Sequence, residues 1–228
     1  MENLLLAGLP AEERTHLEPF LEPCDLLRGN LIAELRKPVE YVWFPEDSLA
    51  SRVVDTADGA TVEAGMIGRE GMVGVSTVLT ADASNATVLV QVEGAAMRMR
   101  AEHVRTHVIA SQSPLFFIML KYVDAFLALV AQTTACNALH SMDERLARWL
   151  LMVNDRIARQ DMSLTQESIS YMLGVRRATV SLAASALQQR GLIEYTRGHV
   201  RILDRTGLEN RACPCYAAIG GLQPAHIS

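Results

Sequence analysis

Arg176, Arg177, Thr179 and Ser181 lie close together in the chain and combine two guanidinium forks with two short hydroxyls. An arginine fork bonds bidentately to O6 and N7 of guanine, and a hydroxyl reaches phosphate oxygens. The chemistry on offer is therefore recognition of duplex DNA rather than bond making. Such groups read a major groove only when they stand at the N-terminal end of an exposed helix.

The surrounding segment, SLTQESISYMLGVRRATVSLAASALQQRGL at 163–192, reads as two short helices folded about a glycine. Thr165 can cap the amides of Gln166-Glu167-Ser168, and Ile169 and Leu173 share one face before Gly174 ends the helix. The second helix is expected from about Arg176 to Gln189. Its Val180, Ala183 and Leu187 recur at helical spacing and face the core, leaving Arg176, Arg177, Thr179, Ser181 and Gln188 on other faces. The competing account is a helical hairpin of some unrelated domain with a solvated arginine face. The next stretch of chain weakens that account: LIEYTRGHVRIL alternates Ile193, Tyr195, Val200 and Ile202 around the turn Arg197-Gly198-His199, the pattern of a β-hairpin wing. Within 163–205 the acids are Glu167, Glu194 and Asp204, against arginines at 176, 177, 190, 197, 201 and 205. The chain's net charge is -5, so phosphate attraction is confined to this one basic end.

Upstream, residues 115–131 are largely apolar, but Lys121 and Asp124 interrupt them, and each costs about 2.5–3.5 kcal/mol at a bilayer centre. A long core helix is expected instead, capped by Ser113 with Pro114 at its first position. Leu115, Met119, Tyr122, Phe126, Leu129, Thr133, Cys136 and His140 form one heptad-like seam. Phe116, Leu120, Val123, Leu127, Val130 and Thr134 form a second beside it. One seam would bury on its own domain and the other on a second copy of the chain, giving a homodimer; a central helix of a monomer is the alternative. Residues 20–100 hold short strands such as 41–44, 51–54, 61–64, 88–92 and 96–99, with an Asp58-Gly59 turn, in the manner of an antiparallel barrel or jelly roll.

With half its 228 residues hydrophobic, the chain can build two small cores. Cys24, Cys136, Cys213 and Cys215 are too few and scattered for an extracellular disulfide framework. The start MENLLLAGLP lacks a basic signal-peptide region, so a cytoplasmic location is expected. No P-loop, Gly-x-Ser-x-Gly elbow or His-Glu-x-x-His motif occurs, which argues against an enzyme. A module making only protein contacts would lack salt-dependent DNA binding. His103 and His107 are four apart and read as a surface pair. Cys213-Pro214-Cys215 places two thiols together but lacks further ligands nearby in sequence, so no metal site is assigned.

The stretches DERLARWLL, LTQESISYMLGV, RRATVSLAASAL and GLIEYTRGHVRIL carry a resemblance, over most of 15–205, to the Crp/Fnr family of bacterial transcription regulators. The resemblance implies an α+β fold: a β-roll sensor-like domain with an N-terminal helix at 1–112, a dimerisation helix at 113–140, a winged helix-turn-helix at 141–206 and a tail at 207–228. It implies double-stranded DNA and RNA polymerase as partners, with no membrane. By position, Arg177 corresponds to the family's base-reading arginine, Thr179 to its phosphate-contacting threonine, and Thr165 and Gln166 to phosphate contacts. Ala178 stands where many relatives carry an acidic residue that contacts cytosine, and Leu182 where a second base-reading arginine often occurs. Leu182 could meet a thymine methyl or pack inside. Arg176 replaces a small capping residue and would add a contact to DNA.

In cyclic-nucleotide-binding relatives a glycine-rich turn, a glutamate and an arginine grip phosphate and ribose. Here Gly68-Arg69-Glu70-Gly71-Met72-Val73-Gly74 and Ser84-Asn85-Ala86 occupy that stretch, with Met72 at the ribose position and Ser84-Asn85 at the phosphate position. The effector pocket expected from Gly71, Met72, Ser84 and Asn85 thus lacks the charged grip, and cyclic AMP is not the expected ligand. Effector and cofactor stay unassigned. A cyclic-nucleotide-responsive or a redox- or metal-responsive member of the same family is the alternative, although Cys24 alone cannot hold an iron–sulfur cluster.

Overall fold

The computed structural model describes residues 2–220 except 58, 80, 158 and 160. Asp58 of the expected turn and residues 221–228 of the expected tail lie outside them. The chain opens with helices α1 (Leu4–Ala7) and α2 (Ala11–Leu17), then strands β1 (Glu22–Leu26), β2 (Leu31–Ala33), β3 (Tyr41–Pro45), β4 (Leu49–Asp55) and β5 (Thr61–Ile67). A short α3 (Val75–Val78) precedes β6 (Thr87–Val92) and β7 (Gly94–Arg100). The strands form two antiparallel sheets, ordered β1-β7-β3 and β2-β6-β4-β5, which make the roll. Short strands of alternating burial, such as Tyr41–Pro45 with Val42 and Phe44 inside, are what a half-buried pleat requires.

Helix α4 (Ala101–His103) runs on through a wider turn at Val104–Ile109 and leads to α5 (Pro114–Leu139). Pro114 occupies the first turn as expected. Ser113 stands at the cap position, but its hydroxyl makes no capping bond. From Leu115 to Cys136 the first seam is buried in this chain, so α5 is a core helix of the roll despite being long and apolar enough to cross a bilayer. The second seam divides. Val123 is buried in the same chain, whereas Leu120 and Leu127 lie open together with Phe117. Val123 thus faces inward because α5 packs on β5, α1 and α3 of the roll and also on the later helix Cys215–Gly220, which takes more than one narrow stripe.

Helix α6 (Met142–Ile157) comes next, then β8 (Asp161–Ser163), α7 (Gln166–Leu173), α8 (Arg177–Gln189), β9 (Ile193–Thr196) and β10 (His199–Ile202). The wing is a three-stranded sheet, β8-β10-β9, and not the two-stranded hairpin the sequence suggests. Its tight turn is Arg197-Gly198, both at positive φ (52° and 84°), so His199 already belongs to β10. The segment expected as a tail from 207 is instead folded: α9 (Arg205–Arg211), capped by Asp204 on Gly207 N, and α10 (Cys215–Gly220) pack against α6 and α5. Short apolar pieces such as Leu208 and Ile219 carry no periodicity long enough to announce a helix, yet each is buried.

The winged part rests on its own roll. Helix α7 packs on β5, where Gly174, in a left-handed turn at φ 62°, lies against Val62; an added Cβ would sit 3.1 Å from that side chain. Glu63 of β5 accepts bonds from Ser51 and from Trp149 of α6, the latter at 3.1 Å, and a buried ion pair of 2.7 Å joins Glu70 to Arg156. Both carboxylates would be costly in the core without these partners.

Candidate nucleic-acid interface

Thr165 opens α7: its Oγ1 accepts from Ser168 N at 3.1 Å while the residue remains exposed. Gly174 closes the helix in the left-handed conformation that only glycine adopts without cost. Arg176 takes the N-cap position of α8 without a side-chain bond, and Arg177 is the first helical residue; both are exposed. Val180, Ala183, Ala184 and Leu187 bury the opposite face against α6 and α7, and the Arg145 guanidinium ties down the C-terminal carbonyl of α7 at Leu173. This packing holds the start of α8 outward, where its free amides add positive potential.

Between α7, α8 and the wing lies an open groove of about 570 Å³, lined by Thr165, Gln166, Arg177, Ser181, Gln188 and Arg197 among others. The structure therefore brings Thr165, Gln166, Arg177 and Ser181 to one concave surface. Arg176 and Thr179 stand outside its lining, Thr179 half-buried. Sequence reasoning passed over Arg197 and Tyr195 as contributors, since only the wing's pairing to β8 swings them beside α8. The Tyr195 hydroxyl donates to Leu164 O at 2.9 Å, and burial pushes its pKa up to about 12 although Arg177 and Arg28 pull the other way. It stays a neutral donor that fixes the wing. Leu182, open to the two accounts in the sequence, is 74% exposed and so does not pack inside.

The other expected site is nearly closed. Met72, Ser84 and Asn85 do meet, around a cavity of about 20 Å³, room for roughly one water. Met72 fills the space with no exposed surface, and Ser84 spends its hydroxyl on Ala86 O at 2.7 Å. Gly71 does not line this cavity; it lets the Tyr122 ring approach so closely that a Cβ would lie 2.4 Å from it. Glu70 is committed to Arg156. One charge is present that the sequence reading missed: Arg52 of β4 donates to the Asn85 side chain at 3.1 Å and to its carbonyl at 3.2 Å. His103 and His107 are occupied with packing, the His107 ring stacking on Phe20 at 4.1 Å between centroids.

Residues 144–211 match the Crp-like helix-turn-helix domain. No curated protein sequence matches the chain. Among solved structures it is similar to FixK2 from Bradyrhizobium japonicum, at 16% identity over 85% of this chain and 98% of that one, with a TM-score of 0.71. It is also similar to TTHB099, a CRP-family transcriptional regulator from Thermus thermophilus, at 18% identity over 83% and 96%, TM-score 0.68. A third is the c-di-GMP-responsive global regulator CLP from Xanthomonas campestris, at 11% identity over 85% and 99%, TM-score 0.67. The groove thus belongs to a Crp-like helix-turn-helix domain at 144–211, carried on a chain that, roll included, has the fold of the Crp/Fnr transcription regulators.

Proposed function

We propose that the chain is a sequence-specific, DNA-binding transcription regulator that works as a homodimer on a two-fold operator. The observation that carries this reading is the exposed start of α8, where Arg177 and Ser181 share one groove with Thr165, Gln166 and the wing's Arg197. In this reading Arg177 reads a guanine. Thr165, Gln166 and Thr179 hold phosphates, Ser181 lies along the groove wall, and Arg176 adds a contact at the helix cap. Exposed Leu182, with Ala178 before it, offers methyl contacts and no charge, so the operator is one that favours a thymine where relatives with an arginine favour guanine. Dimerisation is supported by the apolar stripe of Phe117, Leu120 and Leu127, which α5 leaves uncovered. The roll serves as a sensor-like support whose nucleotide pocket does not take cyclic AMP.

Selection of bound sequences from random duplex DNA at moderate salt tests the reading: an inverted repeat is recovered, with half-sites about one helical turn apart. Arg177→Ala then weakens binding to that site by about 1–3 kcal/mol and relaxes one base position in each half-site. Recovery of no repeat, or equal affinity of parent and variant, overturns it.

A further inference from the structure

We propose that Cys136, His140, Cys213 and Cys215 form a closed Cys3His site for a single zinc ion, which fastens α10 to the end of α5. The sequence hides this site because its two halves are far apart. Cys136 and His140 are one helical turn apart at the end of α5, while Cys213-Pro214-Cys215 leads into α10. The fold closes the gap and brings all four ligand atoms within 4.8 Å of one another. Cys136 Sγ lies 3.4 Å from Cys213 Sγ, and Cys215 Sγ lies 3.6 Å from His140 Nδ1. Tetrahedral zinc, with Zn–S of about 2.3 Å and Zn–N of about 2.0–2.1 Å, places its ligand atoms roughly 3.5–3.8 Å apart, so small shifts complete the sphere.

Two plainer accounts fit less well. Buried cysteines often act as small apolar fillers. These three, however, form a sulfur cluster of their own, separate from the main core. A disulfide would consume two thiols and leave the third beside His140 without purpose, and all four cysteines of the chain are free. The surroundings favour a bound ion. Arg148 is 2% exposed, forms no ion pair among the described residues, and its Nε has no hydrogen-bond partner. Its charge acts on Cys136 as well as on Glu63. Three thiolates around a divalent ion leave a net charge of about minus one, a counter-charge that suits a buried guanidinium held in no ion pair among the described residues. Gln132 Nε2 donates to Cys215 Sγ at 3.0 Å, as outer-shell groups do for metal-bound thiolates. A single ion suits the spread of the ligands better than an iron–sulfur cluster, whose thiolates sit on separate irons.

The site stands at a joint: His140 caps α5 and Met142 begins α6, the helix that carries the winged part. An ion there would hold the joint, the end of the core helix and α10 as one piece.

The full-length chain, produced with zinc supplied and purified under reducing conditions without chelator, is expected to contain about one zinc per chain by mass spectrometry. Replacement by cobalt gives the visible bands of a tetrahedral ion and a thiolate-to-cobalt charge-transfer band. Cys213→Ser and Cys215→Ser each reduce metal content to near zero, while Cys24→Ser leaves it unchanged. Should the variants misfold, alkylation of the unaltered protein decides: zinc protects Cys136, Cys213 and Cys215, and a strong chelator opens all three. Absence of zinc from folded protein, an iron–sulfur chromophore, a Cys136–Cys213 disulfide under reducing conditions, or alkylation indifferent to chelator each overturns the proposal.

Discussion

Met72 and Arg52 show how single residues decide what the roll can hold. Met72, with no exposed surface, fills the cavity beside Ser84 and Asn85 with an unbranched apolar chain. Ser84 is turned into its own loop, leaving about 20 Å³. Arg52 supplies a positive charge, but its Nη1 and Nη2 are both already engaged with Asn85. Admitting a cyclic nucleotide would require breaking these bonds and moving Met72 out of a packed core, a change that costs on the order of 1–3 kcal/mol for overpacking alone. Titration calorimetry with cyclic AMP is therefore expected to give no heat of binding at micromolar concentrations. A micromolar dissociation constant would show that the pocket opens. Only part of this was legible in the sequence. That Met72, Ser84 and Asn85 come together could be read from their short segments, whereas Gly71, expected with them, does not line the cavity. Arg52 could not, because it reaches Asn85 across the sheet from another strand.

At the scale of elements, α5 is the piece whose two sides have different duties. The heptad-like spacing made the inner seam legible, and every residue of it from Leu115 to Cys136 is buried. The outer stripe was legible in type but not in membership. Val123 was drawn inward by packing that no spacing rule contains, whereas Phe117 came out. The winged helix was the most legible part, because glycine turns, cap residues and apolar periods are local signals. The strand β8 and helices α9 and α10 were missed since they are short and owe their form to burial against distant partners. Leu127, 64% exposed in the single chain, tests the outer stripe. In the proposed homodimer Leu127→Glu removes a leucine from each side of the two-fold contact, at about 1.5–3 kcal/mol per copy, and so weakens dimerisation by roughly two to four decades. Sedimentation is expected to show a monomer for the variant and a dimer for the parent, with thermal unfolding of the dilute monomer little changed. A dimer of unaltered strength would assign the stripe to another role.

Across the whole molecule, the roll and the winged helix-turn-helix part are joined by buried polar links as well as by the apolar core. Glu63 is the centre of one such link, since it holds Ser51 within the roll and Trp149 on α6. Burial raises its pKa above the ordinary 4.5, although the two hydrogen bonds and the charges of Arg148 and Arg156 work against that rise. Below 4.5 the carboxyl is protonated in folded and unfolded chains alike. Above it, the unfolded chain releases a proton that the folded chain retains, so this group takes stability away as pH rises until its folded value is passed. Glu63→Gln removes the dependence while keeping the contacts: the amide oxygen accepts from Trp149, and the Ser51 hydroxyl can rotate to accept from the amide. Urea unfolding of parent and variant at several pH values should show the variant gaining on the parent as pH rises from 4.5, with a slope of at most about 1.4 kcal/mol per pH unit. If the parent gains instead, the carboxylate is stabilised in its charged form by Arg148 and Arg156. The joint between the roll and the winged part would then be an ionic one, open to weakening by acid.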